Sequence, residues 1–211
     1  MRLTGDVFRR AAAAGLAVFA LALAAAAQEQ QQGRQVFSEI KIKNFGRMDE
    51  RFFRGAEPKK AEDFAALKSL GIQTVIDLQA EPEPTERGRV EALGMRYVNI
   101  PMIEKTYPTE EAVAAFLKAV DDPETGKFFL HCAGGRHRTG ALGAVYRFTK
   151  YGWDYEQTYR EMKQFDFYTR WGHGDFKRFV ADYWTRIQSG EIHVAPAASA
   201  APAAAPVQPR K

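Results

Sequence analysis

From about residue 44 onward the chain alternates between two hydrophobic rhythms. Short, nearly continuous apolar runs occur in "IQTVIDL", "MRYVNI" and "KFFLH", as expected of strands buried on both faces. Between them lie stretches with helical spacing. "EPKKAEDFAALKSLG" sets Ala61, Phe64, Leu67 and Leu70 along one stripe, with Pro58 suited to a first turn and Gly71 to the end. "EPTERGRVEALG" predicts a helix closed by Gly94. "PTEEAVAAFLKAVDD" offers Thr109 as a cap and places Val113, Phe116, Leu117 and Val120 on one face. "WDYEQTYREM" pairs Asp154 with Gln157 in a capping-box pattern, and "DFKRFVADYWTRI" predicts the last helix. "RFFRG", ahead of the first helix, reads as a segment ending in a turn glycine. The order predicts an α/β fold: a central, mostly parallel sheet of about four or five strands flanked by helices. Sheets of this kind bind ligands beyond the carboxyl ends of their strands.

The two ends do not share these rhythms. Arg2, Arg9 and Arg10 precede an Ala/Leu run from Ala11 to Ala27. A charged start, a short apolar stretch and an Ala-x-Ala end predict a signal peptide over residues 1–27, cleaved after Ala27. The alternative is a retained anchor, although a run of about 17 mostly alanine residues sits at the lower edge for a span. Residues 28–43 read as a polar N-terminal segment and 44–193 as the folded domain. Residues 194–211 read as a disordered Ala/Pro-rich tail, because from Ala195 onward Val207 is the only large apolar residue. Loss of residues 1–27 changes the balance from 30 basic against 26 acidic residues to 27 against 25, so the formal charge falls from +4 to +2. A nearly balanced chain points away from nucleic-acid binding. The expectation is a periplasmic or secreted monomer with no membrane span after cleavage.

Cys132 is the single cysteine, so no intrachain disulfide exists to explain it. Its place does. The stretch "CAGGRHR" must turn sharply from strand to helix, and Gly134 and Gly135 allow backbone angles that other residues resist. Backbone N–H groups of Ala133, Gly134, Gly135, Arg136 and His137 can then converge as an anion-sized nest. A helix beginning near Thr139 adds the positive end of its dipole. Arg138 adds a planar fork able to grip two phosphate oxygens. An ordinary thiol near pKa ~8.5 is only a few per cent thiolate at pH 7. A shift to about 5.5 needs roughly 4 kcal/mol of differential stabilisation, within reach of these groups together. Such a thiolate can attack a bound phosphate to give a phosphocysteine, which water then hydrolyses. The Thr139 hydroxyl can hydrogen-bond the departing sulfur.

The run His131, Cys132, five residues to His137, Arg138, Thr139 and Gly140 resembles the signature of the cysteine-dependent protein tyrosine phosphatases. "FFRGAEP", "LGIQTVIDLQAE" and "VNIPM" are similar, in the same order, to the first strands of the compact dual-specificity group. The resemblance implies a tyrosine-phosphatase-like fold and phosphate ester hydrolysis without metal or cofactor. The competing class is a phosphate-binding pseudophosphatase, an interaction module without turnover.

The family's leaving-group acid is an aspartate on a loop ahead of the cysteine, and "IPMIEKTYP" has none. Glu104 is the carboxylate there, Asp166 the second candidate. Asp175 reads as a helix-start cap and Asp77 as a structural hydrogen-bonding group. The "GRHR" run resembles the loop of plant and fungal atypical dual-specificity phosphatases acting on inositol pyrophosphates. Arg136 and His137 would favour a substrate with several phosphates. A phosphoprotein and an inositol phosphate therefore both stand as substrates. Tyr107, Trp153 and Trp171 are candidate pocket aromatics, each equally suited to a core.

Overall fold

The computed structural model describes residues 40–194. The leader (1–27), most of the polar segment (28–43) and the Ala/Pro tail lie outside these residues. The elements are β1 (Gly46–Arg47), β2 (Phe52–Ala56), α1 (Ala61–Ser69), β3 (Thr74–Gln79), α2 (Glu86–Ala92), β4 (Arg96–Met102), α3 (Glu110–Asp121), β5 (Phe128–Cys132), α4 (His137–Tyr151), α5 (Tyr155–Gln164) and α6 (Gly174–Gln188). The five strands form one sheet in the order β1-β2-β5-β3-β4. Only β1 runs antiparallel to its neighbour. β5 is central, with Cys132 beside Ala56 on one side and His131 beside Asp77 on the other.

Strand alternation divides the side chains of β5 between two faces. Phe128, Leu130 and Cys132 join the core built with α3, α4, α5 and α6, where Phe116, Val145, Met162 and Phe176 are buried. Phe129 and His131 turn to the opposite face, which holds the buried residues Phe64, Leu67 and Val90 of α1 and α2. The nucleophile candidate and the histidine before it therefore occupy different environments.

Several helix ends follow the sequence reading. Thr109 Oγ1 accepts from the Ala112 N–H at 3.2 Å, and Asp154 accepts from the Gln157 N–H at 2.7 Å to close a capping box. Three expectations change. The helix after the cysteine loop starts at His137, not near Thr139. Gly55 is not a turn residue but lies inside β2. A Cβ there would sit 2.9 Å from Ile42 Cγ2 and 3.0 Å from the Phe129 ring, so the glycine serves close packing. Ile40 and Ile42, assigned to the polar segment, are buried, and the Lys43 carbonyl accepts from the Ala56 N–H at 2.8 Å. The domain boundary at 44 therefore moves to 40 or earlier. Among the described residues no helix is long and apolar enough to cross a membrane.

A buried ion pair ties α4 to α5 and both to the first turn. Arg147, fully buried, donates Nη2–H to Glu161 Oε1 at 2.6 Å and Nε–H to Oε2 at 3.0 Å. Nη2 also reaches the Met48 carbonyl at 2.8 Å. Removing one partner strands the other as an uncompensated charge, which costs far more than the pair itself contributes. Glu161→Ala is therefore expected to lower stability by about 3–5 kcal/mol in urea unfolding. A loss below about 1 kcal/mol would show that water reaches Arg147 and that the pair is not truly buried.

Candidate active site

Cys132 ends β5 at the floor of a cleft of about 310 Å³. Ala133, Gly134, Arg136, His137 and Arg138 of the following loop line that cleft, with Glu104, Tyr168, His173 and Phe176 around them. The sequence signature thus closes into one concave surface. Gly135 lies beneath it with φ +64°. A Cβ at this position would collide with the backbone of Gly55 and Ala56. The loop seats on the β2 backbone because Gly135 has no side chain.

Two further groups hold the loop from below. Arg54 of β2 donates Nη2–H to the Gly135 carbonyl at 2.8 Å. Asn44 donates Nδ2–H to the Gly134 carbonyl at 2.8 Å. With these carbonyls engaged outside the loop, the Gly134 N–H faces the sulfur, while the Gly135 N–H donates to the Cys132 carbonyl at 3.3 Å. Arg54 is almost fully buried, its guanidinium 4.1 Å from the Phe165 ring centroid. Burial lowers its pKa to about 10, while Glu161 and Cys132 oppose the shift by their charge.

Burial pushes the Cys132 thiol up, but the opposing contributions prevail and its pKa falls below the ordinary value. They are the charge of Arg138, the hydroxyl and N–H of Thr139, and the N–H of Gly134. Thr139 Oγ1 is fully buried and makes no other hydrogen bond of good geometry among the described residues, so its interaction is with Cys132, where it helps lower the thiol pKa. Arg138, itself buried, is oriented across the cleft by donating Nη1–H to the Met102 carbonyl at the end of β4, at 3.2 Å.

On the other face of the sheet, His131 is clamped between two carboxylates. Nε2 lies 3.0 Å from Glu86 Oε1 and Nδ1 lies 3.8 Å from Asp77 Oδ1. Burial pulls its pKa down, but hydrogen bonding and charge from Glu86, then Asp77 and Cys132, raise it overall. A carboxylate facing each ring nitrogen favours the protonated ring, although neither contact has good hydrogen-bond geometry. Asp77 also accepts from the Tyr97 hydroxyl at 2.8 Å, the structural role expected of it.

The remaining sequence candidates separate. Glu104 lines the cleft, 3.7 Å from His173 Nε2. Asp166 is not a lining residue; it faces Arg136 Nη2 at 3.8 Å. Asp175 lies in the first turn of α6, paired with Arg178 at 3.1 Å, and His173 holds the cap position. Tyr107 hydrogen-bonds Asp182 at 3.0 Å and packs on Phe179. Trp153 lies 4.3 Å from the Arg147 guanidinium, away from the cleft. Trp171 is 70% exposed, beside Tyr168. His137 is not the loop cation the sequence suggested. Its Nε2 is 2.9 Å from the Tyr168 carbonyl, and burial, then the charge of His173, lower its pKa to about 4. Sequence reasoning missed Asn44, Arg54, Glu86 and His173. For Arg54 a signal existed, since a charge inside the apolar "RFFRG" needs a buried partner.

A mostly parallel sheet with an acidified cysteine in a glycine loop at the end of its central strand is the arrangement of the tyrosine-phosphatase-like fold. The chain belongs to the family described as "DSP-PTPase phosphatase fused to NAD+ Kinase", whose model matches residues 34–173. It is 31% identical over 104 residues to inositol diphosphatase DSP3 of Arabidopsis thaliana, covering 47% of this chain and 51% of that one. It is 30% identical over 111 residues to a putative tyrosine-protein phosphatase, OCA1, of Mycosarcoma maydis, covering 49% and 68%. The chain thus spans about half the length of the inositol diphosphatase it matches. The core catalytic domain of the PP-IP phosphatase SIW14 from S. cerevisiae superposes with TM-score 0.57 at 22% identity, covering 72% of this chain and 94% of that one. P. aeruginosa TpbA gives 0.57 at 24%, covering 66% and 84%. At these identities the structural likeness is one of fold.

Thr139→Ala removes the hydroxyl that helps hold the thiolate and keeps the backbone N–H. The midpoint of thiolate formation, read from the pH dependence of iodoacetamide alkylation, is expected to rise by about one unit, equivalent to roughly 1.4 kcal/mol. An unchanged midpoint would take Thr139 out of this role.

Proposed function

We propose that the chain hydrolyses phosphate monoesters through a phosphocysteine at Cys132. The observation that carries this reading is an acidified thiol at the floor of a cleft, beside Arg138 and the N–H groups of Gly134 and Thr139. The thiolate attacks phosphorus and the ester P–O bond breaks. Water then attacks phosphorus, the P–S bond breaks and the thiolate returns. The loop N–H groups and the Arg138 fork hold the oxygens on which charge builds, so their work is done in the transition state. Protonation of the leaving oxygen falls to the rim of the cleft, where Glu104 and His173 lie together. A metal or cofactor has no part in this sequence.

For the substrate, the rim favours a phosphorylated protein side chain over an inositol polyphosphate. Arg136 faces Asp166, and His137 is held neutral. Ile103 and Trp171, 67% and 70% exposed, adjoin the cleft residues Glu104 and Tyr168. An exposed carboxylate and two exposed apolar groups suit a peptide around one phosphate better than a ring of phosphates. We also carry forward export of the mature protein, on the strength of the charged and apolar run in residues 1–27. N-terminal sequencing after fractionation tests it, and an intact Met1 in the cytosol would end it.

The mechanism is tested with p-nitrophenyl phosphate near pH ~6, where the thiolate argument puts activity. Metal-independent turnover is expected, lost in Cys132→Ser while vanadate still binds. Turnover surviving that substitution sinks the mechanism.

Arg138→Lys supplies a point charge without the fork and is expected to cost about 2–4 kcal/mol, roughly 30- to 1000-fold. Near-normal turnover in that variant contradicts the role given to the guanidinium. A phosphotyrosine peptide is expected to be cleaved with higher kcat/KM than a diphosphoinositol polyphosphate; the reverse order overturns the substrate assignment.

A further inference from the structure

The cleft holds more proton-carrying groups than the reaction above uses. The Glu104 side chain at its mouth is 62% exposed, and that of His173 beside it is 7% exposed. Nε2 of His173 lies 3.7 Å from Glu104 Oε1. Nδ1 of the same ring lies 3.0 Å from the Arg170 carbonyl. A carbonyl only accepts, so Nδ1 carries a hydrogen and Nε2 is the nitrogen that gains and loses a proton.

The neighbours of the ring decide where charge can reside. His173 stacks on His137 with ring centroids 3.7 Å apart. Two stacked imidazoles cannot both be cations at that separation without strong repulsion. His137 is the one kept neutral: burial, then the charges of His173, Arg136 and Arg138, hold its pKa near 4 against the Tyr168 carbonyl. Of the stacked pair, His173 is the ring with a carboxylate beside it. Glu104 faces it from the segment after β4, and Tyr168 meets it edge-on at 5.1 Å. Asp175 in α6 is engaged by Arg178, and the Lys105 side chain lies over Gly172. Lys105 and Trp171, in the segments carrying Glu104 and His173, both have left-handed backbone at φ 58° and 55°. Non-glycine residues rarely adopt it.

We propose that His173 is the acid and base of the hydrolysis, and that Glu104 is the positioning residue that holds its imidazolium in the cleft. The Nε2–H gives its proton to the ester oxygen as the P–O bond breaks. The neutral Nε2 then takes a proton from the water that breaks the P–S bond, which restores the starting state. This rests on the phosphocysteine reading. Its physical basis is the ordering of acids: a carboxyl group in water parts with its proton near pH ~4, an imidazolium near ~6.5. A neighbouring cation favours the ionised carboxylate still further. Between a carboxylate and an imidazole near pH ~6, the transferable proton is on nitrogen.

The test is kcat/KM against pH for glycerol phosphate, whose leaving group needs a proton, and for p-nitrophenyl phosphate, whose leaving group needs little. His173→Gln is expected to lose roughly 100-fold or more on glycerol phosphate, far less on the nitrophenyl ester, and to lose the basic limb of the profile. Free imidazole should restore part of the rate in His173→Ala, a rescue that a purely structural role does not give. Glu104→Gln should keep the basic limb but move it to lower pH, because an imidazolium without its anion loses its proton more readily. A basic limb that persists in His173→Gln and vanishes in Glu104→Gln makes the carboxylate the acid and overturns the proposal. Equal losses on both esters, without imidazole rescue and with a lowered melting temperature, overturn it in favour of a capping role at α6. If the unsubstituted protein shows no Cys132-dependent hydrolysis of either ester, the phosphatase reading itself falls, and this assignment with it.

Discussion

The structure is organised around one electrostatic constraint: an anion must be kept at the end of the central strand, inside the protein. Cys132 is only 3% exposed, and burial alone would return its proton. The compensation comes from several directions. Arg138 brings a full positive charge from the first turn of α4, Thr139 brings a hydroxyl and an N–H, and the loop adds the Gly134 N–H. The turn from β5 into α4 within four residues brings these groups together. Only a glycine loop permits that turn. The same close turn presses Gly135 onto the β2 backbone at Gly55 and Ala56, which leaves no room for a side chain at 135.

Burying an anion in this way forces other charges inward. Arg54 lies beneath the loop, braced on the Gly135 carbonyl and stacked on Phe165. On the far face Glu86 and Asp77 raise the pKa of His131 and so favour its protonated form. Each group would be costly to bury alone. Together they alternate in sign through the sheet, negative at Cys132, positive at Arg54 and His131, negative at Glu86 and Asp77. The two cations are on opposite sides of the sheet because strand alternation requires it. The floor of the cleft is thus stiff for electrostatic as well as packing reasons, since displacing one charge exposes its neighbours.

How much of this was legible in the sequence depended on range. The cradle was, because its parts lie within nine consecutive residues, from His131 to Thr139, and the backbone turn itself assembles them. The caps at Thr109 and Asp154 were legible for the same reason. Gly55 was misread as a turn because one of the groups that demand it, the Phe129 ring, is far away in sequence. Ile40 and Ile42 were placed outside the domain because two isolated apolar residues among polar ones carry no periodicity. Glu86 looked like an ordinary first-turn acid of α2, and nothing local reports that it is buried against His131. His173 was invisible for a further reason: the pair it forms with Glu104 joins two irregular segments, for which neither helix nor strand period predicts a direction.

The cleft therefore has two parts with different physical origins. Its floor is set by secondary structure: β5, the turn and the first residues of α4 fix Cys132, Arg138 and Thr139 relative to one another to within rotamer freedom. Its rim is set by two segments that cross one another, after β4 and before α6. They touch at Lys105 and Gly172 and carry left-handed residues in each. A floor of this kind can bind and attack any phosphate monoester, because it reads only the phosphoryl group. What leaves, and with what proton, is decided by the rim. Selection can alter the rim without disturbing the charge balance of the floor, because rim groups such as Glu104, Ile103 and Trp171 are exposed and cost little to replace. A motif that names the chemistry and a rim that departs from the family's usual acid are thus compatible. The first is constrained by the energy of a buried anion, and the second only by reach.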